Sequence, residues 1–253
     1  MLPLERQNRI MELLSIEGAV SVSKLSAELD VTEETIRRDL EKLEKNESLR
    51  RTHGGAVPID GTTFELSLEK RKHTNVEEKT RLAKVAAGFV VSGDTIFLDA
   101  STTTFYMARE LKKMNNITVI TNSIRVINEL ADYPEIKVIG VGGKLSGNQS
   151  FIGSLAEDTI KNNYFADKMF FSSKGITADG WVLESNEDEC AIKQKMIDNS
   201  KEHFYLIDSS KIGRVGFVKL AQFDEIQHII TDYSPEGDLL DKLNEAKVEI
   251  IKL

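Results

Sequence analysis

The chain has 253 residues, 40% of them hydrophobic and 29% charged, and carries a net charge of −8 at pH 7. That length suits one large or two modest domains. No apolar run approaches the ~20 residues of a membrane span, and the opening Met-Leu-Pro-Leu-Glu-Arg lacks a signal-peptide core. The single cysteine, Cys190, excludes an intramolecular disulfide, and no Cys/His cluster has zinc spacing. The expectation is a cytoplasmic protein with no membrane partner, no metal and no cofactor. Its acidity leaves no global basic field for nucleic acid, so any such binding must come from a local patch.

Residues 1–57 predict three helices and a hairpin. Pro3 suits a first helical turn, and Leu4, Ile10, Met11, Leu13 and Leu14 give that helix an apolar face up to Gly18. After Ala19-Val20, Ser21 or Ser23 caps a second helix carrying Leu25 and Leu29. Asp30-Val31 turns the chain, and Thr32 caps a third helix whose first-turn Glu33 and Glu34 complement the dipole. Ile36, Leu40 and Leu43 form its buried stripe. Leu49–Val57 predicts a strand and a glycine turn. Pro58, Asp60 and Gly61 break the pattern, and residues 58–76 form a linker with a charged helix over 64–75.

From about Val76 the texture alternates. Strands are predicted at 95–98, 118–120, 138–141, 168–171, 204–207, 228–230 and 248–251, with helices at 103–113, 124–131, 187–199 and 235–244. Strands alternating with helices imply an α/β domain over 77–253 with a mainly parallel sheet.

The order of elements in 1–57 is that of a winged helix-turn-helix. The third helix keeps Glu34, Thr35, Arg37, Arg38 and Lys42 off its apolar side, where they could enter a major groove. Arg50, Arg51 and His53 would sit on the wing. Residues 1–57 hold nine Lys and Arg against eleven Asp and Glu, a net of −2, which favours a solvated face paired with neighbouring carboxylates. Position argues the other way, because six of the nine cations fall between Arg37 and Arg51. Helical hairpins also serve as dimerisation modules.

In the larger domain, Thr95-Ile-Phe-Leu-Asp-Ala-Ser-Thr-Thr-Thr predicts a strand that ends at Asp99, followed by hydroxyls at a helix start. Ligands of parallel sheets gather beyond the strands' carboxyl ends, and Ser101, Thr102 and Thr103 at a helix N-terminus suit a phosphate. Plain capping explains them equally well. Thr121-Asn122-Ser123, Gly142-Gly143-Lys144, Lys174-Gly175 and Asp208-Ser-Ser-Lys211 follow other strands. Each is weak alone, since Gly-Gly is commonly a turn and a single lysine is usually solvated. Together they point to an anionic small molecule.

Two motifs, Thr35-Ile-Arg-Arg-Asp-Leu40 and Leu49-Arg-Arg-Thr-His-Gly-Gly-Ala56, resemble the signature of the DeoR family of sugar-catabolic repressors. The resemblance implies a repressor whose winged helix reads double-stranded operator DNA as a homodimer or higher homo-oligomer. It implies a sensing domain over Glu77–Leu253, similar in fold to ribose-5-phosphate isomerase and glucosamine-6-phosphate deaminase, that binds a phosphorylated sugar. By that similarity Asp99 holds a sugar hydroxyl, Ser101, Thr102 and Thr103 hold the phosphate, and Asn122, Gly143 and Lys211 surround the sugar. Three positions depart from the family pattern. Glu47 replaces a usual glycine, with Asn46 expected to close the helix in the left-handed conformation. Ser101 stands at a glycine position, and Lys174 stands where small polar residues are usual, as an added phosphate contact.

The rival function is a sugar-phosphate isomerase or deaminase, which needs a carboxylate base. Asp99, Asp179, Glu184, Glu187 and Asp208 are available, but none sits in a recognisable base motif, and Glu184–Glu189 suits a solvated acidic loop and helix start. An attached DNA reader disfavours catalysis. The residues leave open the particular sugar, the operator, and whether the effector releases or recruits DNA.

Overall fold

Pro3 opens the first helix, α1 (Pro3–Glu17), where its fixed φ suits a first turn. This helix belongs to the smaller of two units, Met1–Leu66 and Ser67–Leu253, in a computed structural model of the chain. The structure describes residues 2–17, 19–46, 48–57, 62 and 65–253. The expected stop at Gly18, the exit at Glu47, the break at Pro58, Asp60 and Gly61, and Phe64 of the expected linker helix lie outside the described residues.

After the short strand β1 (Val20–Ser21), Ser21 accepts the Lys24 N–H at 3.2 Å and caps α2 (Val22–Glu28). Asp30 turns the chain at φ 50°, a conformation that Asp tolerates. Thr32 then caps α3 (Glu33–Lys45) by accepting from Thr35 N–H at 3.3 Å. Ile36, Leu40 and Leu43 face a core shared with Ile10, Leu14, Leu25 and Leu49. The wing is β2 (Arg50–Thr52) and β3 (Gly55–Val57), which with β1 forms an antiparallel sheet in the order β1-β3-β2. Gly54 turns at φ 99°, and the Val20 carbonyl oxygen occupies the space that a side chain at Gly55 would need. Asn46 is not left-handed: its φ is −84°, and the helix closes through Asn46 N–H to Lys42 O and Ser48 N–H to Leu43 O.

The larger unit begins with α4 (Leu68–His73), part of the segment expected as a linker, and α5 (Val76–Ala87). The expected alternation beginning at Val76 is thus a helix. There follow β4 (Thr95–Leu98), α6 (Thr102–Leu111), β5 (Ile117–Thr121), α7 (Ile124–Leu130) and β6 (Ile136–Gly140). A hairpin of β7 (Lys144–Leu145) and β8 (Phe151–Ile152) leads to α8 (Ser154–Asn163) and β9 (Ala166–Phe171). Next come β10 (Gly175–Ile176), β11 (Trp181–Glu184), α9 (Glu187–Asp198) and β12 (Ser200–Ile207). The chain ends with β13 (Val218–Gln222), β14 (His228–Thr231), α10 (Gly237–Glu245) and β15 (Glu249–Lys252).

Seven strands form one sheet in the order β15-β14-β12-β9-β4-β5-β6, every neighbouring pair parallel. Side chains alternate across it. Ile96, Leu98, Phe170, Phe204 and Leu206 meet α5, α6 and α7 on one face. Phe97, Met169, Phe171, Tyr205 and Ile207 meet α8, α9 and α10 on the other. Both faces are covered, as a parallel sheet requires. The carboxyl ends of β12, β9, β4 and β5 therefore lie side by side. A small antiparallel sheet, β10-β11-β13, flanks the second face.

Candidate functional site

In the smaller unit, Glu34, Arg37, Arg38 and Lys42 are exposed on α3, Thr35 is half-buried, and Arg50, Arg51 and His53 are exposed on the wing. Carboxylates partner several of the cations: Arg37 meets Glu33 at 2.5 Å, Arg38 meets Glu34 at 3.3 Å, and Arg51 reaches Glu44 through Nε at 2.8 Å. Solvated pairs of this kind hold their partners weakly, so a DNA phosphate or base edge can replace the carboxylate. A cleft between α3 and the wing is lined by Arg37, Glu44, Arg51, Thr52, His53 and Gly54. Asp39 in the same motif has a different task. It is 2% exposed, pairs with Arg6 Nε at 2.5 Å and accepts from Gln7 Nε2 at 2.9 Å, which pins α1 to α3.

In the larger unit, the carboxyl edge of the sheet gathers Asp99 after β4, Asn122 after β5, Ser172 after β9 and Asp208 after β12. Asp99 is fully buried, and four protein donors occupy its carboxylate. Oδ1 accepts from Ser101 N–H at 3.1 Å and Thr104 Oγ1 at 2.7 Å; Oδ2 accepts from Ser172 N–H at 3.2 Å and meets Lys193 Nζ at 3.0 Å. Burial pushes its pKa up, but Lys193 and these hydrogen bonds outweigh that and hold it below the ordinary carboxylate range. With about four acceptor positions on a carboxylate, Asp99 ties strand ends together rather than offering an open oxygen to a sugar hydroxyl.

The hydroxyl cluster divides by role. Ser101 Oγ accepts from Thr104 N–H at 3.1 Å and caps α6. Thr102 and Thr103 are buried in the first turn, and Thr103 Oγ1 has no hydrogen-bond partner. Asn122 donates Nδ2 to Phe151 O at 3.0 Å, leaving its buried Oδ1 without a partner. Gly143 serves packing, since a Cβ there would lie 2.8 Å from Ile152 O. Lys174 is half-buried, with its backbone N–H on Leu183 O at 3.0 Å. Lys211 donates Nζ to Ser172 Oγ at 2.7 Å.

Two cations at this edge, Arg125 and Lys79, were not singled out by the sequence. Arg125, in the first turn of α7, is buried with no acceptor for Nε, Nη1 or Nη2. Lys79 on α5 donates to Arg71 O at 2.6 Å and Thr74 O at 2.7 Å. Asp208 accepts from Asn75 Nδ2 at 2.9 Å and keeps a buried Oδ2 without a partner. Glu184 and Glu189, expected in a solvated acidic loop and helix start, are 4% and 6% exposed. Glu184 Oε1 meets Lys193 Nζ at 2.5 Å, and Glu189 accepts from Ser146 Oγ at 3.0 Å. Glu187 and Asp188 are exposed, as expected.

Cations crowd one another here. Burial first, then neighbouring Lys211, Arg71 and Arg125, push the Lys79 pKa down to about 8 against the pull of Asp208. Burial and the Arg71 charge push Arg125 down, and burial likewise lowers Lys211, with Lys193 and Arg71 adding to it and Asp208 and Glu184 opposing. Cations that depress one another are relieved by an anion. An anion bound beside Lys79 raises its pKa and draws in a proton at a pH above about 8. Its affinity is therefore expected to fall as pH rises through 8, by up to about tenfold per unit. Calorimetry with inorganic phosphate at pH 7, 8 and 9 checks this.

Two known domain families match the chain: a DeoR-like helix-turn-helix domain over residues 6–62 and a DeoR C terminal sensor domain over residues 74–233. The HTH-type transcriptional regulator YulB of Bacillus subtilis is 42% identical over 99% of this chain and 96% of its own length. The glycerol-3-phosphate regulon repressor of Escherichia coli K12 is 31% identical over 97% of both chains. Ribose 5-phosphate isomerase A of Methanocaldococcus jannaschii aligns with 56% of each chain at 18% identity and a TM-score of 0.43.

Proposed function

The chain belongs to the DeoR family of transcriptional regulators, and from that premise we propose that it represses a sugar-metabolism operon under control of a phosphorylated sugar. The observation that carries the reading is the set of buried, unpartnered polar atoms at the carboxyl edge of a parallel sheet: Thr103 Oγ1, Asn122 Oδ1, the Arg125 nitrogens and Asp208 Oδ2. Buried polar groups ordinarily have partners. A hydroxylated, phosphorylated ligand supplies acceptors for Arg125 and donors for Asn122 and Asp208.

Operator contact is assigned to Glu34, Thr35, Arg37, Arg38 and Lys42 on α3 and to Arg50, Arg51 and His53 on the wing. Arg38→Ala is expected to weaken operator binding by about 1–3 kcal/mol and to relax selectivity at one base pair, without unfolding the chain, because the side chain is exposed. Fluorescence anisotropy with an operator selected from random duplexes reads both effects. Unchanged affinity and selectivity would remove Arg38 from the interface.

The reading is of a non-enzyme. Asp99 and Glu184 are neutralised by Lys193, and Asp179 and Glu187 are exposed. Asp208 keeps an open oxygen, but although burial raises its pKa, Lys211 and its hydrogen bonds pull it lower still, which makes a poor base. Incubation with a panel of sugar phosphates is expected to show no turnover. No helix among the described residues is long and apolar enough to cross a membrane, and a cytoplasmic homo-oligomer reading repeated half-sites completes the proposal.

A further inference from the structure

Arg125 is 7% exposed, and none of its three guanidinium nitrogens has a hydrogen-bond acceptor. Its guanidinium carbon lies 4.0 Å from the centroid of the Phe105 ring, in the first turn of α6. Arginine does not shed its proton on burial. The ring face offsets part of the charge but accepts none of the five N–H groups in the way an oxygen does. The carboxylate of Glu69 contributes to the local field, yet it is bonded to Lys72 at 2.8 Å. An arginine held this way is a group waiting for an oxyanion.

Its neighbours extend the site. β4 and β5 pair in parallel with Leu98 opposite Thr121, so α6 and α7 start from adjacent strand ends, about 5 Å apart. Both helices therefore present first-turn N–H groups to one region. Thr103 Oγ1 and Asn122 Oδ1, on residues each 1% exposed, are unpartnered there. Asp208 Oδ2, also unpartnered, directly follows β12, three strand positions from β5 in the sheet and so about 14 Å away at the strand ends.

We propose that Arg125 anchors the phosphate of a phosphorylated polyhydroxy effector. Its guanidinium, the Thr103 hydroxyl and the first-turn amides of α6 receive the phosphate oxygens, while Asn122 Oδ1 and Asp208 Oδ2 accept hydroxyls along the carbon chain. The inference rests on the larger unit being a sensor of phosphate esters, and it identifies which end of the site takes the phosphate. The number of donors selects the anion. Two carboxylate oxygens can face the fork of Arg125, but the hydroxyl and helix amides add donors that a third, phosphate oxygen fills. Lys211, already on Ser172 Oγ, is then left to the hydroxyl end beside Asp208.

The test uses the full chain with inorganic phosphate as the probe, in thermal shift and calorimetry at pH 7. Phosphate is expected to raise the melting temperature of the unmodified chain. Arg125→Gln is expected to raise the ligand-free melting temperature by a few degrees, since it removes an uncompensated charge, and to weaken phosphate binding about tenfold or more. A purely structural arginine would move the melting temperature in the opposite direction. Exposed Lys113→Gln is the unaffected control, and Lys211→Gln is expected to bind phosphate more tightly than Arg125→Gln does. If the glutamine variant does not fold, Arg125→Lys keeps the charge without the fork and is expected to lose a similar factor. Unaltered phosphate binding in Arg125→Gln, or acetate binding as tightly as phosphate, overturns the proposal. Loss of phosphate binding in Lys211→Gln alone also overturns it, because the anchor then lies at the Asp208 end, while the reading as a phosphate-ester sensor stands.

Discussion

Lys193→Met is expected to destabilise the larger unit by about 3–5 kcal/mol at pH 7. Lys193 is 6% exposed and lies within 4 Å of two buried carboxylates, Asp99 at 3.0 Å and Glu184 at 2.5 Å. It also donates to Ser172 O at 2.7 Å, so it joins the ends of β4, β9 and β11. Burial alone would push its pKa down, but the two carboxylates push it well above the ordinary lysine value. Methionine matches the length of the stem and removes the charge, leaving two carboxylates buried together. One must then take a proton. The sign of the pH dependence follows. In the intact chain Asp99 lies below its ordinary pKa, so its stabilising contribution is present above that value and fades as pH falls through its folded pKa. In the variant the carboxylate pKa values rise, so the deficit is largest near neutral pH and shrinks toward pH 4. Urea unfolding of both chains across this range reads the effect, and Glu184→Gln added to Lys193→Met should recover part of it. An equal deficit at pH 4 and 7 would mean that lost packing, not charge, governs the site.

Thr102→Asp is expected to abolish the response to effector while leaving the chain folded and bound to operator. Thr102 is the first residue of α6 and is 4% exposed. A carboxylate at that position complements the helix dipole, so it opposes the phosphate without unravelling the helix. Like-charge contact in a water-poor region should cost the phosphate about 100-fold or more in affinity. Calorimetry of an identified effector with both chains measures the binding, and operator affinity within about twofold of the unmodified chain confirms that the DNA reader is intact. Equal effector affinities would reduce the α6 hydroxyls to helix caps.

The elements that were legible in the sequence are those with strong periodicity or a capping residue. Thr32, the Ile36–Leu40–Leu43 stripe and the glycine pair of the wing defined the recognition helix and hairpin, and α3 and β3 follow them. The strand at 95–98 was exact because four apolar-leaning residues end on a polar turn. Helix α5 was missed because its buried face is largely alanine, Ala83, Ala86 and Ala87 around Leu82, which gives a weak apolar pattern. The strands of two residues, β1, β7, β8 and β10, are too short to show a period.

At the effector edge the sequence could mark strand ends but not which polar groups are already satisfied. Asp99 and Ser101 stand in the segment that drew attention, yet both are committed to protein partners. Arg125 and Lys79 lie on helices where cations are usually solvated, and only the packing of α7 against Phe105 and of α5 under Arg71 and Thr74 buries them. Glu184 looked like part of an acidic surface because its partner, Lys193, lies nine residues away in sequence and two turns along α9. The acid of the Ile-Arg-Arg-Asp motif carries the same lesson. Asp39 is adjacent to exposed arginines but faces Arg6, thirty-three residues earlier.

The proposed function requires that a DNA reader and a phosphorylated-sugar sensor be coupled in one chain. Its most direct test is operator affinity of the full chain, by fluorescence anisotropy, with and without each member of a panel of sugar phosphates. The operator is one selected from random duplexes by the chain itself. Selective binding is expected, weakening steeply with salt and shifting by about fivefold or more with one of the sugar phosphates. Duplex binding without sequence selection, or an affinity that no sugar phosphate alters, would contradict it.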